Sequence, residues 1–342
     1  VGGKGRALAV FLTETNEITK EVNPAYSSSE RKNNPMTQKN DSWEAQCIAK
    51  VLFDKLKTLP DVKPDDLYWT LKQLVGRRNT MVNELSTVKI QLHGKLALHY
   101  PSYKKIFSEV DGKTALAFWH KYPSQQHLKD ISLQELKEFL LDSSNNSCST
   151  RKAEQILNII KSDGDTTRDY QRFRDVLIQS MVDEIKFFKE EIKKMEKEMG
   201  KILKLLDYKL QSMPGINLVT EANLIANIGD IRRFANPNKL AKYAGIAPVK
   251  FSSAGKGKEQ MSEQGRRELN KVFYMLAIQQ IQISKGSKTP RNPILYEYYK
   301  RKLSENKHEI KALMCVMRRL VNIIYGLMKN KTEYRMEYLS KK

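Results

Sequence analysis

The sequence predicts an α/β segment over residues 1–100, a helical linker with a coiled-coil arm over 101–212, and a mainly α-helical domain over 213–342. Three observations carry this reading. Helical apolar spacing at Gly5–Thr15 and again at 45–56 flanks an extended Glu17–Val22. Ile178, Met181, Ile185, Phe188, Ile192, Met195, Met199, Ile202 and Leu206 alternate spacings of three and four through four heptads. After Met213, short helical patterns are punctuated by Gly229, Asn236–Pro237 and Gly245, and longer amphipathic ones follow.

In chain order, Leu8, Phe11 and Leu12 share one face of the first helix, and Glu17–Val22 reads as a short strand. The polar stretch 25–40 lacks periodicity and reads as a loop. Asp41 is placed as the cap of a helix on which Ala45, Ile48, Ala49, Leu52 and Leu56 repeat. The order helix, strand, loop, helix is that of an α/β unit whose opening strands are not in the sequence. A long helix is expected over 65–98, and short helices over 102–175, separated by turn-rich stretches at 142–150 and 162–167. The heptad seam of 178–206 can pair with the 65–98 helix or with a second subunit. Thr220 reads as the N-cap of the next helix. Residues 249–262, VKFSSAGKGKEQMS, read as a flexible loop, and helices are expected over 265–283 and 308–328.

The chain has 342 residues and a formal net charge of +21. From Met213 onward, 25 lysines and arginines stand against 10 acidic residues, so over two thirds of the excess lies in this part. Such a field favours a polyanion, because many cation–phosphate contacts together release condensed counterions. The plainer reading is a surface that is basic by habit. No run reaches the roughly 18 apolar residues of a membrane span. Cys47, Cys148 and Cys315 are odd in number and widely spaced, which argues against a disulfide framework and fits a reducing compartment. His93, His99, His120, His127 and His308 lack zinc-ligand spacing, and no phosphate-loop or dinucleotide fingerprint occurs.

Asp41 and Glu44, three apart in a first helical turn, project side by side and could contribute to a divalent-metal site if other carboxylates approached. Capping and dipole balance is the ordinary role of such residues. Ser252 and Ser253 lie in the basic loop, where a hydroxyl could attack a phosphodiester if nearby cations stabilised the developing charge. Lys250, Lys256, Lys258, Arg266 and Arg267 are the candidate phosphate contacts. The two short helices around Gly229 resemble a hairpin that offers backbone N–H groups to phosphate, or equally an ordinary packed helix pair.

Three blocks together resemble the DEDD-type insertion-sequence transposases, the bridge-RNA-guided recombinases of the insertion sequence one-hundred-ten family. They are EVNPAY with QKNDSWEAQCIAK, LKQLVGRRNTMVNELSTVKIQLHGKL with its paired Arg77 and Arg78, and the stretch from MPGINLVTEANL to GRRELNKVF. The resemblance implies an incomplete RuvC-like (RNase H-like) α/β part, a coiled-coil arm and a helical transposase domain with a serine loop. It also implies a DNA recombinase in which Mg²⁺-bound carboxylates assist a serine nucleophile. The last two acidic positions map to Asp41 and Glu44, and the serine to Ser253, with Ser252 as the alternative. Arg77 and Arg78 join the expected nucleic-acid contacts. Implied partners are double-stranded DNA, a noncoding guide RNA and further copies in a dimer or tetramer, in the cytoplasm of a prokaryote near its nucleoid. Glu44 stands where the family has aspartate, and Ala254 where it commonly has glycine after the serine. The family's first two acidic residues would precede Val1. The chain is therefore expected to hold half of the acidic centre, and a shortened, catalytically inactive DNA- or RNA-binding relative is the alternative reading.

Overall fold

A computed structural model describes residues 3–22, 24–33, 40–59, 61–62, 67–147, 150–247, 249–253, 256–260 and 265–336; side chains at 3, 4, 6, 25, 249–253 and 256–260 lie outside the described part. Fourteen α-helices occur among the described residues: α1 (Gly3–Glu14), α2 (Pro24–Lys32), α3 (Asp41–Lys55), α4 (Leu67–His99), α5 (Tyr103–Ile106), α6 (Lys113–Lys121), α7 (Leu133–Ser143), α8 (Thr150–Asp163), α9 (Gln171–Leu206), α10 (Leu218–Ile228), α11 (Pro237–Tyr243), α12 (Arg267–Ile281), α13 (Pro293–Ser304) and α14 (Glu309–Asn330). The strands described are β1 (Val249–Ser253) and β2 (Lys256–Gln260), an antiparallel pair.

The expected α/β RuvC-like part is thereby corrected. An RNase H-like domain is organised on a multi-stranded sheet, whereas the regular elements among the described residues of 1–101 are helices, with one isolated bridge, Lys20 to Asp61. The extended run 17–22 has strand-like composition, but a ladder needs a partner for its backbone groups and none is described beyond that bridge. The expected loop at 25–40 is likewise partly helix. Pro24 occupies the first turn of α2, where its missing N–H costs nothing. The serine-rich α2 is tied to α3 by Lys50–Glu30 at 2.5 Å and Arg31–Glu44 at 3.7 Å. Asn40, not Asp41, caps α3, its Oδ1 accepting from Trp43 N at 2.7 Å. The anticipated apolar face of α1 is open, with Leu8 and Phe11 both more than half exposed.

The chain divides into two units: residues 1–73 with 199–342, and residues 74–198. In the second, the heptad reading of α9 holds and its seam finds α4 of the same chain. Ile178, Val182 and Ile185 share a core with Val88, Leu92 and Leu96. The two helices run antiparallel, since Arg78 pairs with Glu196 at 2.9 Å near one end and Gln171 meets His99 at 3.2 Å near the other. Aromatic rings fill the centre. Trp119 and Phe118 are fully buried with centroids 5.0 Å apart, and Trp119 donates its indole N–H to the Val110 carbonyl at 3.2 Å. Ser132 and Glu135 form the capping box that starts α7.

In the first unit, α14 is the central helix, with Val316, Leu320, Val321 and Ile324 fully buried. It packs against α11, α12 and α13. Asn217, not Thr220, is the N-cap of α10, accepting from Thr220 N at 2.9 Å. The turns end where the sequence places them, with Gly229 and Gly245 at φ 69° and 67°. No described helix is long and apolar enough to cross a membrane.

Asp111 links α4 and α9 electrostatically, with Lys89 at 2.9 Å and Lys189 at 2.7 Å. Burial by itself would raise this carboxyl, but the hydrogen bonds and charges of the two lysines outweigh it and hold the group below its ordinary value. A carboxyl depressed in the folded state contributes stability that is present above its unfolded pKa, about 4, and lost as pH falls through the folded value. Asp111→Asn is expected to cost about 1–2 kcal/mol at neutral pH, since the lysines stay partly solvated. It should also flatten the fall in urea midpoint below about pH 4. An unchanged acid slope in the variant would show that the triad does not set it.

Candidate nucleic-acid interface

The hairpin that carries the candidate serines leaves and re-enters the helical scaffold at one point. Gly245 closes α11, and Gly265 precedes α12 with φ 128°, a backbone conformation that L side chains rarely adopt. A Cβ on Gly265 would lie 2.4 Å from Gly245 N and 2.6 Å from its Cα, so the two backbones touch. Hydrogen bonds lock the approach. Arg266 N donates to the Tyr243 carbonyl at 2.8 Å, and Asn270 Nδ2 donates to the carbonyls of Ala244 and Gly245 at 3.1 and 3.3 Å.

The hairpin itself overturns the expected flexible loop, because its backbone is paired, with Ser252 opposite Gly257 and Ser253 opposite Lys256. The side chains of Ser252, Ser253, Lys250, Lys256 and Lys258 lie outside the described residues, as does Ala254.

Tyr243 organises the cations at the hairpin's base. Its hydroxyl accepts from Arg266 Nη1 at 2.8 Å, while Arg266 Nε donates to Asn227 Oδ1 at 3.1 Å. The Arg233 guanidinium stands over the rings of Tyr243, at 4.7 Å, and Phe234, at 4.9 Å. Lys72 lies near Arg266, and its pKa is lowered, first by burial and then by that charge, against the pull of Glu21 and Glu268. Arg232, Lys239, Lys242 and Arg267 are exposed around this centre, Arg232 holding Asp230 at 2.7 Å. The group as a whole can bind phosphate through aligned, partly preorganised guanidinium donors.

The other predicted residues are placed differently. Arg78 is engaged with Glu196 and half-buried, so it serves the α4–α9 pair; its neighbour Arg77 is exposed. Asp41 is exposed at the start of α3, and Glu44 faces Arg31. Among the described residues, no three His, Cys, Asp or Glu side chains stand together as a metal site. Two carboxylates, one of them turned to an arginine, fit a Mg²⁺ centre poorly. Sequence reasoning missed Arg232, Arg233, Asn227 and Tyr243. The adjacent arginines of IRRF were a visible signal, but the stacking on Tyr243 was not.

Comparison with known proteins adds an independent line. Residues 207–300 match the family model described as Transposase IS116/IS110/IS902 family, and residues 1–101 match a DEDD-type IS110 transposase model. The 43.6 kDa protein of insertion element IS110 from Streptomyces coelicolor is 23% identical over 312 residues, covering 88% of this chain and 73% of its own. The 44.8 kDa protein of insertion element IS116 from Streptomyces clavuligerus is 22% identical over 302 residues, covering 86% and 72%. A pilin gene-inverting protein of Moraxella lacunata is 26% identical over 171 residues, covering 47% of this chain and 51% of its own.

Gly265→Ala should destabilise the first unit by about 2–4 kcal/mol, through backbone strain and overlap with Gly245. Limited proteolysis should then cut first within 246–264. A variant with wild-type melting and cleavage would show that the glycine contact is not needed.

Proposed function

Because this chain is homologous at the family level to the IS110/IS116 DEDD-type insertion-sequence transposases, we propose that it is a nucleic-acid-binding protein of transposase lineage. In this reading it engages DNA, and a guide RNA, through the basic surface of its 213–342 region. The observation that carries the reading is the cation set built on Tyr243 at the base of the serine hairpin. Arg266 and Arg233 are held there by a hydroxyl and by ring faces, with Arg232 and Arg267 exposed beside them. Fixed guanidiniums lose little freedom on meeting a phosphate, and a backbone-directed surface of this kind binds without reading bases.

The same surface supports a second reading, in which Ser253, or Ser252, attacks a DNA phosphodiester and forms a phosphoserine link. The register that sets Ser253 opposite Lys256 favours it, and so does the printed name of the Moraxella relative, a gene-inverting protein. In that chemistry the serine oxygen bonds to phosphorus, a deoxyribose oxygen leaves, and the serine proton passes to a base. Mg²⁺ held by Asp41 and Glu44 remains part of that second reading only; the described residues bring no further carboxylate to the pair. Binding without self-sufficient cleavage is the better supported of the two. Assembly into dimers or tetramers belongs to the proposal as well, although the α9 seam is taken up by α4 within the second unit.

Titrating a fluorescent DNA duplex at several salt concentrations tests the binding reading. Arg233→Ala and Arg267→Ala should each weaken binding about five- to tenfold and reduce the log–log salt slope by about 1, equally across unrelated sequences. Unchanged affinity and slope in both variants would overturn it. A detergent-stable protein–DNA adduct that disappears in Ser253→Ala and in Ser252→Ala/Ser253→Ala would instead establish the nucleophile.

A further inference from the structure

An open groove of about 610 Å³ lies along α13 and α14, built by residues that none of the preceding argument uses. Its apolar lining includes Ile323, Leu327 and Gly326. Arg318, Arg319, Asn322 and Asn330 line it as well, and no carboxylate does among the described residues. The nearby Glu305 is already bound by Lys302 at 2.8 Å and Lys307 at 2.6 Å.

The cations are held in place. Arg319 and Arg301 stand 4.8 and 5.2 Å from the ring centroid of Tyr298, which also lines the groove. Arg318 donates to the Pro237 carbonyl at 3.3 Å and to the Asn238 side chain. Gly326 is the telling residue. It sits inside α14 without a positive φ, and a Cβ built there meets nothing within 4 Å. Among the described residues neither a turn nor a close backbone approach requires it, and glycine disfavours a helix interior. Its missing side chain leaves that part of the groove open.

An open lining that sets apolar residues beside fixed guanidiniums and amides matches a ligand with one flat apolar part and one anionic part. We propose that this groove binds a nucleotide of a single-stranded polynucleotide, with the base against the open stretch at Gly326 and the phosphate at Arg319. In a duplex the base faces are stacked on their neighbours and cannot enter, so an unpaired strand is the occupant that fits. The inference rests on the nucleic-acid reading above but concerns a surface distinct from the hairpin base.

Cys315 lines the groove and is partly exposed, which makes it a built-in reporter. With the full-length protein, its alkylation by iodoacetamide is followed by peptide mass spectrometry, alone and with short oligouridine, oligothymidine, a blunt duplex or uridine monophosphate. Binding is tracked in parallel by anisotropy. The single strands should slow alkylation about fivefold or more, the duplex and the mononucleotide much less. The difference between oligouridine and oligothymidine tells whether RNA or DNA is preferred. Gly326→Leu should abolish protection without lowering Tm, and Arg319→Gln should do so even if the leucine variant fails to fold. Strands that bind while Cys315 reacts at its free rate would overturn the groove and leave the hairpin surface standing. Equal protection by duplex or by mononucleotide would overturn the single-strand assignment. No polynucleotide binding at all would overturn both readings.

Discussion

The contact between Gly245 and Gly265 is the constraint on which the functional region depends. Two backbones meet where any side chain on Gly265 would collide, and the segment between them is thereby projected from a single point. Because Arg266 directly follows one of these glycines and Tyr243 lies two residues before the other, the same closure brings a guanidinium to a phenol. Arg233 then completes the group from the turn after α10. The cation cluster is a product of backbone geometry, and long-range charge attraction alone would not assemble it. Arginines repel one another, and the ring and amide of Tyr243 and Asn227, together with Glu268 at 3.9 Å from Arg266 and Asp230 on Arg232, let them stand together.

Legibility in the sequence followed how local each cause was. The 36-residue α9 was readable because its apolar positions recur without a fault, and its partner α4 because it too is long and periodic. Gly229, Gly245 and Asn236–Pro237 marked real helix ends, since turn chemistry acts over a few residues. By contrast α2, rich in serine, has weak helical preference and is held by ion pairs to α3 that lie outside any local window. The β1–β2 hairpin is dominated by Ser, Gly and Lys, which carry little strand preference, so its composition imitates a loop. The stretch at 17–22 erred the other way, with strand-like residues but only a bridge for a partner.

The site was half legible for the same reason. Its charge excess and its basic residues could be counted, whereas their partners could not. Arg78 was expected at nucleic acid but is committed to Glu196, 118 positions away. Glu44 was expected beside Asp41 at a metal but faces Arg31. Similarity to the IS110/IS116 transposases carries the proposed lineage, and the geometry supplies where the described cations stand. The expectation of a sheet-based amino-terminal domain, drawn from the helix, strand, loop, helix order and from resemblance, gives way to the helices actually described.

The order in which the chain leaves the ribosome gives the division into units a further consequence. Residues 74–198 are contiguous, so that unit has all of its sequence as soon as Glu198 emerges. The other unit draws on segments from either side of that stretch. Its Tyr68–Tyr208 hydroxyl bond, 2.7 Å long, joins positions 140 apart, so this contact can form only once Tyr208 has followed the whole 74–198 stretch out. Translation speed through the 74–198 stretch therefore sets how long Tyr68 stands without this partner.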